Sequence, residues 1–534
     1  MKLALCLSAL ALATLAACGG GNSHPVASDP PVAVPDPHPA PSLSLAQKCP
    51  ALKGTKLGGV ATVDDAQVVA ATDAQPEYCV VSATLDGSAL RFEARLPTAG
   101  WNGKLAFLGG GGFDGGMPVA TDLQFSPSIL AERYATLGTN GGYDYPGVRD
   151  LGYFAAGFAL DAAKLDDFTH ASEHRALVPG KALIAGFFGQ APTRSYFEGC
   201  SMGGHDALME AQRYPEDFDG IVARSPAGNV MGLFMQFNRI ARQVAVPANT
   251  LSPAKQTLLA NAVLAQCDAQ DGLADGVIAN PRACHYDPTP LRCADGADTG
   301  DGCLSDAQLA TVRTVISPIT SADGKWSHPG YFPGGEADAK GWGEYIWPSP
   351  ALGGLSVQHL FSDGFVRSFI TRDAGYDTTT WNYDDWLPRM AEVGGLFNAF
   401  DPDLRPLQQR GAKLILWSGT TDSSVSPRDT QRYYERVVQT IGQQAADQTA
   451  ELFMAPGVGH CYGGPGPDRV DLLKAMATWV EQGTPASAQG LVHRKLDAGG
   501  ATVQTQPLCK YPAYPHYKGT GDVNDAASYA CAAS

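Results

Sequence analysis

The chain has 534 residues, 44% hydrophobic and 17% charged, which fills a sizeable core and excludes a disordered or fibrous protein. Its 38 Lys and Arg against 54 Asp and Glu leave a formal net charge of −16 with no basic run, which excludes a nucleic-acid partner of the usual electrostatic kind. The length exceeds one ordinary domain and suits a large α/β enzyme with insertions.

Met1-Lys2, the apolar stretch Leu3–Leu15 and the small residues before Cys18 read as an export signal over 1–17, too short to span a membrane. Cys18 directly after Leu15-Ala16-Ala17 resembles a bacterial lipobox, in which the signal is cut before Cys18 and the thiol is lipidated; an ordinary signal with an incidental Cys is the plainer alternative. Residues 18–44, rich in Pro, Ser, Gly and Ala, cannot offset ordering entropy by burial and read as a flexible tether. No later apolar run reaches spanning length. The expected location is the bacterial cell envelope or outside the cell, with membrane contact only through the lipid.

Beyond the tether, short β-like runs alternate with helical ones. Leu105–Leu108 precedes the glycines 109–112, Arg194–Phe197 precedes Gly199-Cys-Ser-Met-Gly-Gly204 and a helical stretch His205–Tyr214, and Lys413–Trp417 precedes Ser418-Gly-Thr-Thr-Asp422. This rhythm predicts the α/β class, a mostly parallel sheet with helices on both faces. Between 229 and 400 it is lost while Cys, Gly, Asp and Trp rise. That segment reads as an inserted lid domain over the sheet's carboxyl edge, between catalytic-domain parts 45–228 and 401–534.

Gly199-Cys200-Ser201-Met202-Gly203 fits Gly-x-Ser-x-Gly, a tight strand-to-helix turn that lifts the Ser hydroxyl clear of the sheet and aims helix N–H groups at a developing oxyanion. Such a hydroxyl needs a base, and α/β-hydrolases supply Asp and then His after Ser. Asp422 on its Gly-Thr-Thr turn and His460 beyond the apolar run Glu451–Met454 stand in that order. Each alone reads as an ordinary loop residue; order and placement together give Ser201 the nucleophile's role, His460 the base's and Asp422 the orienter's. The glycines 109–112 lie where a second oxyanion donor belongs. Phosphate cradling has no Gly-Lys-Ser/Thr ending to support it, and no organic cofactor is expected.

Apart from Cys6 in the signal and Cys18, ten Cys remain: Cys49, Cys79, Cys200, Cys267, Cys284, Cys293, Cys303, Cys461, Cys509 and Cys531. An even count in an exported chain reads as five disulfides, although spacing does not fix the connectivity. Cys267/Cys284, Cys293/Cys303 and Cys509/Cys531 are the natural short-range pairs. Cys200 directly precedes the Ser and Cys461 directly follows the His, so a bond between them would clamp two catalytic loops; two separately buried thiols are the alternative. Zinc is disfavoured by the lack of a Cys-x-x-Cys or a Cys/His cluster at ligand spacing.

Gly199–Gly204, Gly419-Thr-Thr-Asp422 with Val425-Ser-Pro427 and Tyr433-Tyr434, and Gly459-His460-Cys461-Tyr-Gly-Gly-Pro-Gly-Pro-Asp468 resemble the tannase and feruloyl esterase family, whose bacterial members include mono(2-hydroxyethyl) terephthalate hydrolases. The resemblance runs from about Cys49 to Cys531. It implies an α/β-hydrolase core with a large lid, the triad Ser201, Asp422 and His460, a Cys200–Cys461 disulfide, and an oxyanion hole from the Met202 N–H and a glycine of the early loop, Gly111 or Gly112. It also implies a structural Ca²⁺ in the lid. The matching loop offers Asp268, Asp271 and Asp275, with the carbonyls of Leu273 and Val277; these oxygens suit a hard cation, whereas a pair of solvated Asp-Gly turns is the plainer reading.

The substrate is less legible. The lid aromatics Phe361, Phe365, Phe369, Trp381 and Trp386 face an aromatic acyl group or form the lid's own core. Arg367 among them pairs with a substrate carboxylate or with Asp363 or Asp373. The expected function is hydrolysis of feruloyl, galloyl or terephthaloyl-type esters through an acyl-enzyme. The alternatives are a broad esterase or peptidase on the same core, or a lipid-tethered binding protein. The only expected partner is a small aromatic ester.

Overall fold

The structure is a computed structural model and describes residues 43–533 apart from 74, 114, 119–128 and 145–153. The export signal, the lipidation site Cys18 and the tether as far as 42 lie outside the described residues.

Among the described residues ten strands form one mixed sheet. The first eight are β1 (Lys56–Leu57), β2 (Ala61–Val69), β3 (Tyr78–Leu85), β4 (Arg91–Pro97), β5 (Lys104–Leu108), β6 (Ala135–Thr139), β7 (Arg194–Cys200) and β8 (Gly220–Arg224). Their spatial order is β1-β2-β3-β4-β6-β5-β7-β8, followed by the strands Lys413–Gly419 and Ala450–Ala455. From β6 to Ala450–Ala455 every pairing is parallel, while β1 to β4 and the β4–β6 join are antiparallel. The parallel strands are buried on both faces and so read as continuous apolar runs. Phe107, Phe197, Ile221, Leu414 and Leu416 fill one side, and Ala106, Tyr196, Val222, Ile415 and Trp417 the other. Helices Ser172–Phe188, Met202–Arg213 and Pro427–Ile441 cover the first face, and Leu472–Gln482 the second.

The antiparallel edge was not anticipated from the strand-helix rhythm. Its signal is the period-two burial of Cys79, Val81, Ala83 and Leu85 and of Phe92, Ala94 and Leu96.

The insertion contributes helices Val230–Val244, Pro253–Cys267, Asp306–Ile316, Val357–Phe365 and Leu387–Phe397. It shares a core with residues outside it. One of its cores, holding Phe234, Phe365, Phe369 and Trp381, also takes in Phe113, Phe168, Met202 and Val425 from outside 229–400. Phe113 stacks on both Phe234 and Phe369, with ring centroids 5.9 and 5.8 Å away. Residues 43–534 accordingly cluster as one compact unit.

Five disulfides join Cys49–Cys79, Cys200–Cys461, Cys267–Cys284, Cys293–Cys303 and Cys509–Cys531.

Candidate active site

In a parallel sheet the loops leaving the carboxyl ends of the strands share one rim, where α/β proteins bind ligands. The glycine loop after β5, Ser201 after β7, Asp422 after Lys413–Gly419 and His460 after Ala450–Ala455 all leave that rim.

Ser201 has φ 64° and ψ −117°, a left-handed conformation that costs a side-chain-bearing residue on the order of 1–3 kcal/mol. Its neighbours over-determine it. Its N–H donates to the Arg224 carbonyl at 3.1 Å, and its carbonyl accepts from the N–H groups of His205 and Ala227 at 3.0 and 3.1 Å. The Gly203 N–H donates to the Gly110 carbonyl at 2.9 Å. Small neighbours are a steric requirement here. A Cβ on Gly199 would lie 2.3 Å from the Gly203 carbonyl oxygen, and one on Gly203 would lie 2.7 Å from backbone atoms of both Gly109 and Gly110. Beneath the turn the Arg224 guanidinium pairs with Glu198 at 2.8 Å, both side chains 1% exposed, and donates to the Val470 carbonyl at 2.9 Å.

Asp422 is 1% exposed and His460 7% exposed. The Asp422 carboxylate accepts from the N–H groups of Ser424 and Val425 through Oδ1, at 2.8 and 2.9 Å. Its Oδ2 accepts from His460 Nδ1 at 2.8 Å. This fixes the tautomer with Nδ1 protonated and leaves Nε2 as the basic nitrogen. Burial pulls the imidazole pKa down, but the charge and hydrogen bond of Asp422, with Glu344 adding, leave it above the ordinary 6.5. Two loop–loop bonds stitch the Asp and His loops together: the Thr421 N–H donates to the Val458 carbonyl at 3.0 Å and the Gly457 N–H to Thr420 Oγ1 at 2.9 Å. The Cys200–Cys461 bond ties the His loop to the nucleophile turn, with a Cα–Cα distance of 6.1 Å.

Ser201 opens onto an apolar slot lined by Leu233, Phe234, Phe237, Phe361 and Tyr345, with Met202 and Gly112 at its polar end. Gly112 lines it and Gly111 does not, while Gly109 and Gly110 pack against Gly203. The slot encloses about 30 Å³ of free volume. Leu233, Phe234, Phe237 and Tyr345 were not singled out in the sequence. The available signal was Leu233, Phe234 and Phe237 on the first helix after β8, whose 233/237 spacing puts them on one face.

The expected substrate contacts Phe365, Phe369 and Arg367 do not line this slot. Phe365 and Phe369 are 0% exposed and belong to the lid's aromatic core, with Phe365 stacked on Phe234 at 4.0 Å. Arg367 lies outside the slot. Its Nη1 pairs with Asp363 at 3.1 Å, its Nε donates to the Tyr376 carbonyl at 3.0 Å, and it lines a separate cavity of about 290 Å³. An acid one helical turn back is its ion-pair partner.

The lid loop at 268–277 gathers buried acids. Asp268 and Asp271 are 7% and 4% exposed. Asp271 accepts the Leu273 and Ala279 N–H groups, Asp268 Oδ2 accepts that of Gly276, and Asp275 accepts that of Val277. Asp268 Oδ1 is buried with no hydrogen-bond partner. Burial raises the Asp271 pKa to about 7, with Asp275 and Asp268 adding to the rise. An orphaned carboxylate oxygen beside like charges fits a hard cation, the more so with loop carbonyls to complete a shell. Among the described residues no three His, Cys, Asp or Glu side chains alone form a ligand group.

A family model described as tannase and feruloyl esterase matches residues 79–532. The mono(2-hydroxyethyl) terephthalate hydrolase of Piscinibacter sakaiensis is 32% identical over 548 aligned positions, covering 88% of this chain and 87% of that protein. Feruloyl esterase B of Aspergillus niger is 31% identical, covering 88% and 89%. The crystal structure of feruloyl esterase B from Aspergillus oryzae superposes with a TM-score of 0.79 at 25% identity, covering 92% of this chain and all of that one.

Proposed function

The chain belongs to the tannase and feruloyl esterase family, and from that premise we propose that Ser201, His460 and Asp422 are the catalytic triad of an aromatic acid ester hydrolase. The family's activity is carboxylic ester hydrolysis, and its aromatic acid esters suit the apolar slot beside Ser201.

His460 Nε2 takes the Ser201 proton as Oγ adds to the ester carbonyl carbon. The developing oxyanion receives hydrogen bonds from the N–H of Met202, at the amino end of helix Met202–Arg213, and from that of Gly112 on the glycine loop, which lines the same slot. The imidazolium, held by Asp422, gives its proton to the departing alkoxide, so alcohol leaves and the acyl group stays on Ser201. Water then adds by the same relay and releases the acid. A slot with about 30 Å³ open holds no aromatic acyl group as it stands, so its walls must part to admit one.

The observation that carries this reading is the Cys200–Cys461 bond, which seats the base's loop against the nucleophile's turn. Ser201→Ala is expected to abolish hydrolysis of methyl ferulate and stoichiometric labelling by an organophosphonate while the fold persists. Turnover near wild type in that variant would remove the assignment, and a non-catalytic tethered binding protein would leave Ser201 unlabelled from the start. Methyl ferulate, methyl gallate and a simple acetyl ester assayed together separate an aromatic acid esterase from a broad one.

The loop 268–277 is proposed as a structural Ca²⁺ site held by Asp268, Asp271 and Asp275 with the carbonyls of Leu273 and Val277; the ion would supply charge compensation for buried carboxylates and no step of catalysis. Five disulfides imply folding in an oxidising compartment. Lipidation at Cys18 is proposed on the Leu15-Ala16-Ala17-Cys18 pattern alone.

A further inference from the structure

One lid segment, residues 340–345, grips both loops that carry the base and its orienter. The Ser423 hydroxyl, next to Asp422, donates to the Gly341 carbonyl at 2.5 Å. The Lys340 carbonyl presses on Gly459, where an added Cβ would sit 2.2 Å from it, and the Tyr345 ring meets His460 edge-on with centroids 5.3 Å apart. Within this segment Lys340 Nζ bonds Glu344 Oε1 at 2.6 Å one helical turn away and lies over the Tyr462 ring at 4.5 Å. Glu344 Oε2 is buried with no hydrogen-bond partner. The Glu344 carboxylate, partly exposed and half-satisfied by its lysine, thus belongs to a segment whose next residue, Tyr345, touches the buried imidazole.

We propose that Glu344, restrained by Lys340, is a positioning residue for the catalytic base: a second carboxylate that sets how readily His460 takes the nucleophile's proton. The inference rests on the triad reading above. Both lid charges act on the imidazole, Glu344 favouring its charged form and Lys340 opposing it, in addition to Asp422. Among the described residues, Tyr462 and Asp468 lie on the base's own loop, Asp468 accepting the Gly463 N–H, and Tyr331 reaches the Asp422 loop, its hydroxyl donating to the Ser424 carbonyl. Neither Glu344 nor Lys340 stands among the residues that line the slot, so they act through His460 and not on the substrate.

The test is the pH profile of kcat/KM for the full chain, whose acidic limb reports deprotonation of the base. Glu344→Gln removes a charge that favours imidazolium, so the limb moves to lower pH by about 0.5 pH unit; Lys340→Met removes the opposing charge and moves it to higher pH by a similar amount. The double variant returns close to wild type. The pH dependence of Ser201 labelling by an organophosphonate gives the same midpoints without an ester substrate. A merely structural pair would lower rates in both variants without moving the limb in opposite senses. Unmoved limbs, or limbs moved the same way, in folded protein overturn the proposal. Should Glu344→Gln fail to fold, the direction of the Lys340→Met and Lys340→Gln limbs decides alone. If Ser201→Ala remains active the triad reading fails; if Ser201→Ala is dead and the limb unmoved, only the role of Glu344 fails.

Discussion

The Cα atoms of Cys200 and Cys461 stand 6.1 Å apart although 261 residues of chain separate them. One flanks Ser201, the proposed nucleophile, and the other His460, the proposed base, so the loop carrying His460 is held by a covalent bond as well as by hydrogen bonds. Closing so long a loop constrains the unfolded chain as well as the folded site, and a native disulfide is typically worth about 2–4 kcal/mol.

Replacing both cysteines, Cys200→Ser with Cys461→Ser, is expected to lower the thermal midpoint and to cut kcat by about a hundredfold, the usual loss when a catalytic group drifts by about 1 Å. Melting and steady-state kinetics check this. A double variant with wild-type kcat would leave the clamp no part in catalysis.

Gly203→Ala places a methyl group 2.7 Å from backbone atoms of Gly109 and Gly110. Backbone on both sides has no rotamer to yield, so the turn and the glycine loop must part, at about 1–3 kcal/mol. The expected result is a fall in kcat larger than any rise in KM, because the oxyanion donors move with that loop. Rates and melting at the level of wild type would refute the close packing.

The raised pKa of His460 puts the acidic limb of kcat/KM above pH 6.5, since the neutral imidazole is the base and Asp422 stabilises its charged form. Asp422→Asn removes that stabilisation and the acceptor that fixes the tautomer. The expected outcome is a loss of about 10⁴ in kcat, with the remaining activity's limb displaced to lower pH. A pH titration of both proteins decides it.

Calcium is expected to raise the melting temperature of the native protein relative to chelator, by about 2.7 kcal/mol of stability at a hundredfold excess over Kd. Asp271→Asn, which weakens the proposed shell, should melt alike in calcium and in chelator. A variant that keeps the full calcium response would exclude Asp271 as a ligand.

Phe361→Ala is expected to enlarge the slot and to raise the ratio of kcat/KM for methyl ferulate over a small acetyl ester several-fold. Competition assays with the two esters measure that ratio, and an unchanged value would place the acyl group elsewhere.

Much of this protein is written locally. The strand before Ser201, the glycines on either side and the helix after it are neighbours in sequence, so the sharp turn is legible from its own residues, and so are the Asp and His that follow in chain order. Cysteine count and placement likewise pointed to five bonds and to the Cys200–Cys461 pair. The apolar slot beside Ser201 was not legible in that way. The sequence marks Phe361 and Phe369 as lid aromatics without saying which core each faces, and it does not mark Phe234 at all. Packing from three distant segments sends Phe234 and Phe361 to the wall beside Ser201 and Phe369 away from it. Arg367 carried two readings until its turn of helix set it against Asp363. The saddle of Lys340, Glu344 and Tyr345 over the base has no local signature, because it exists only where a lid segment meets two loops that lie about eighty and one hundred and twenty residues further along the chain. Hydrogen-bonding turns and periodic faces are properties of a few adjacent residues; which face meets which is decided by close packing of the whole.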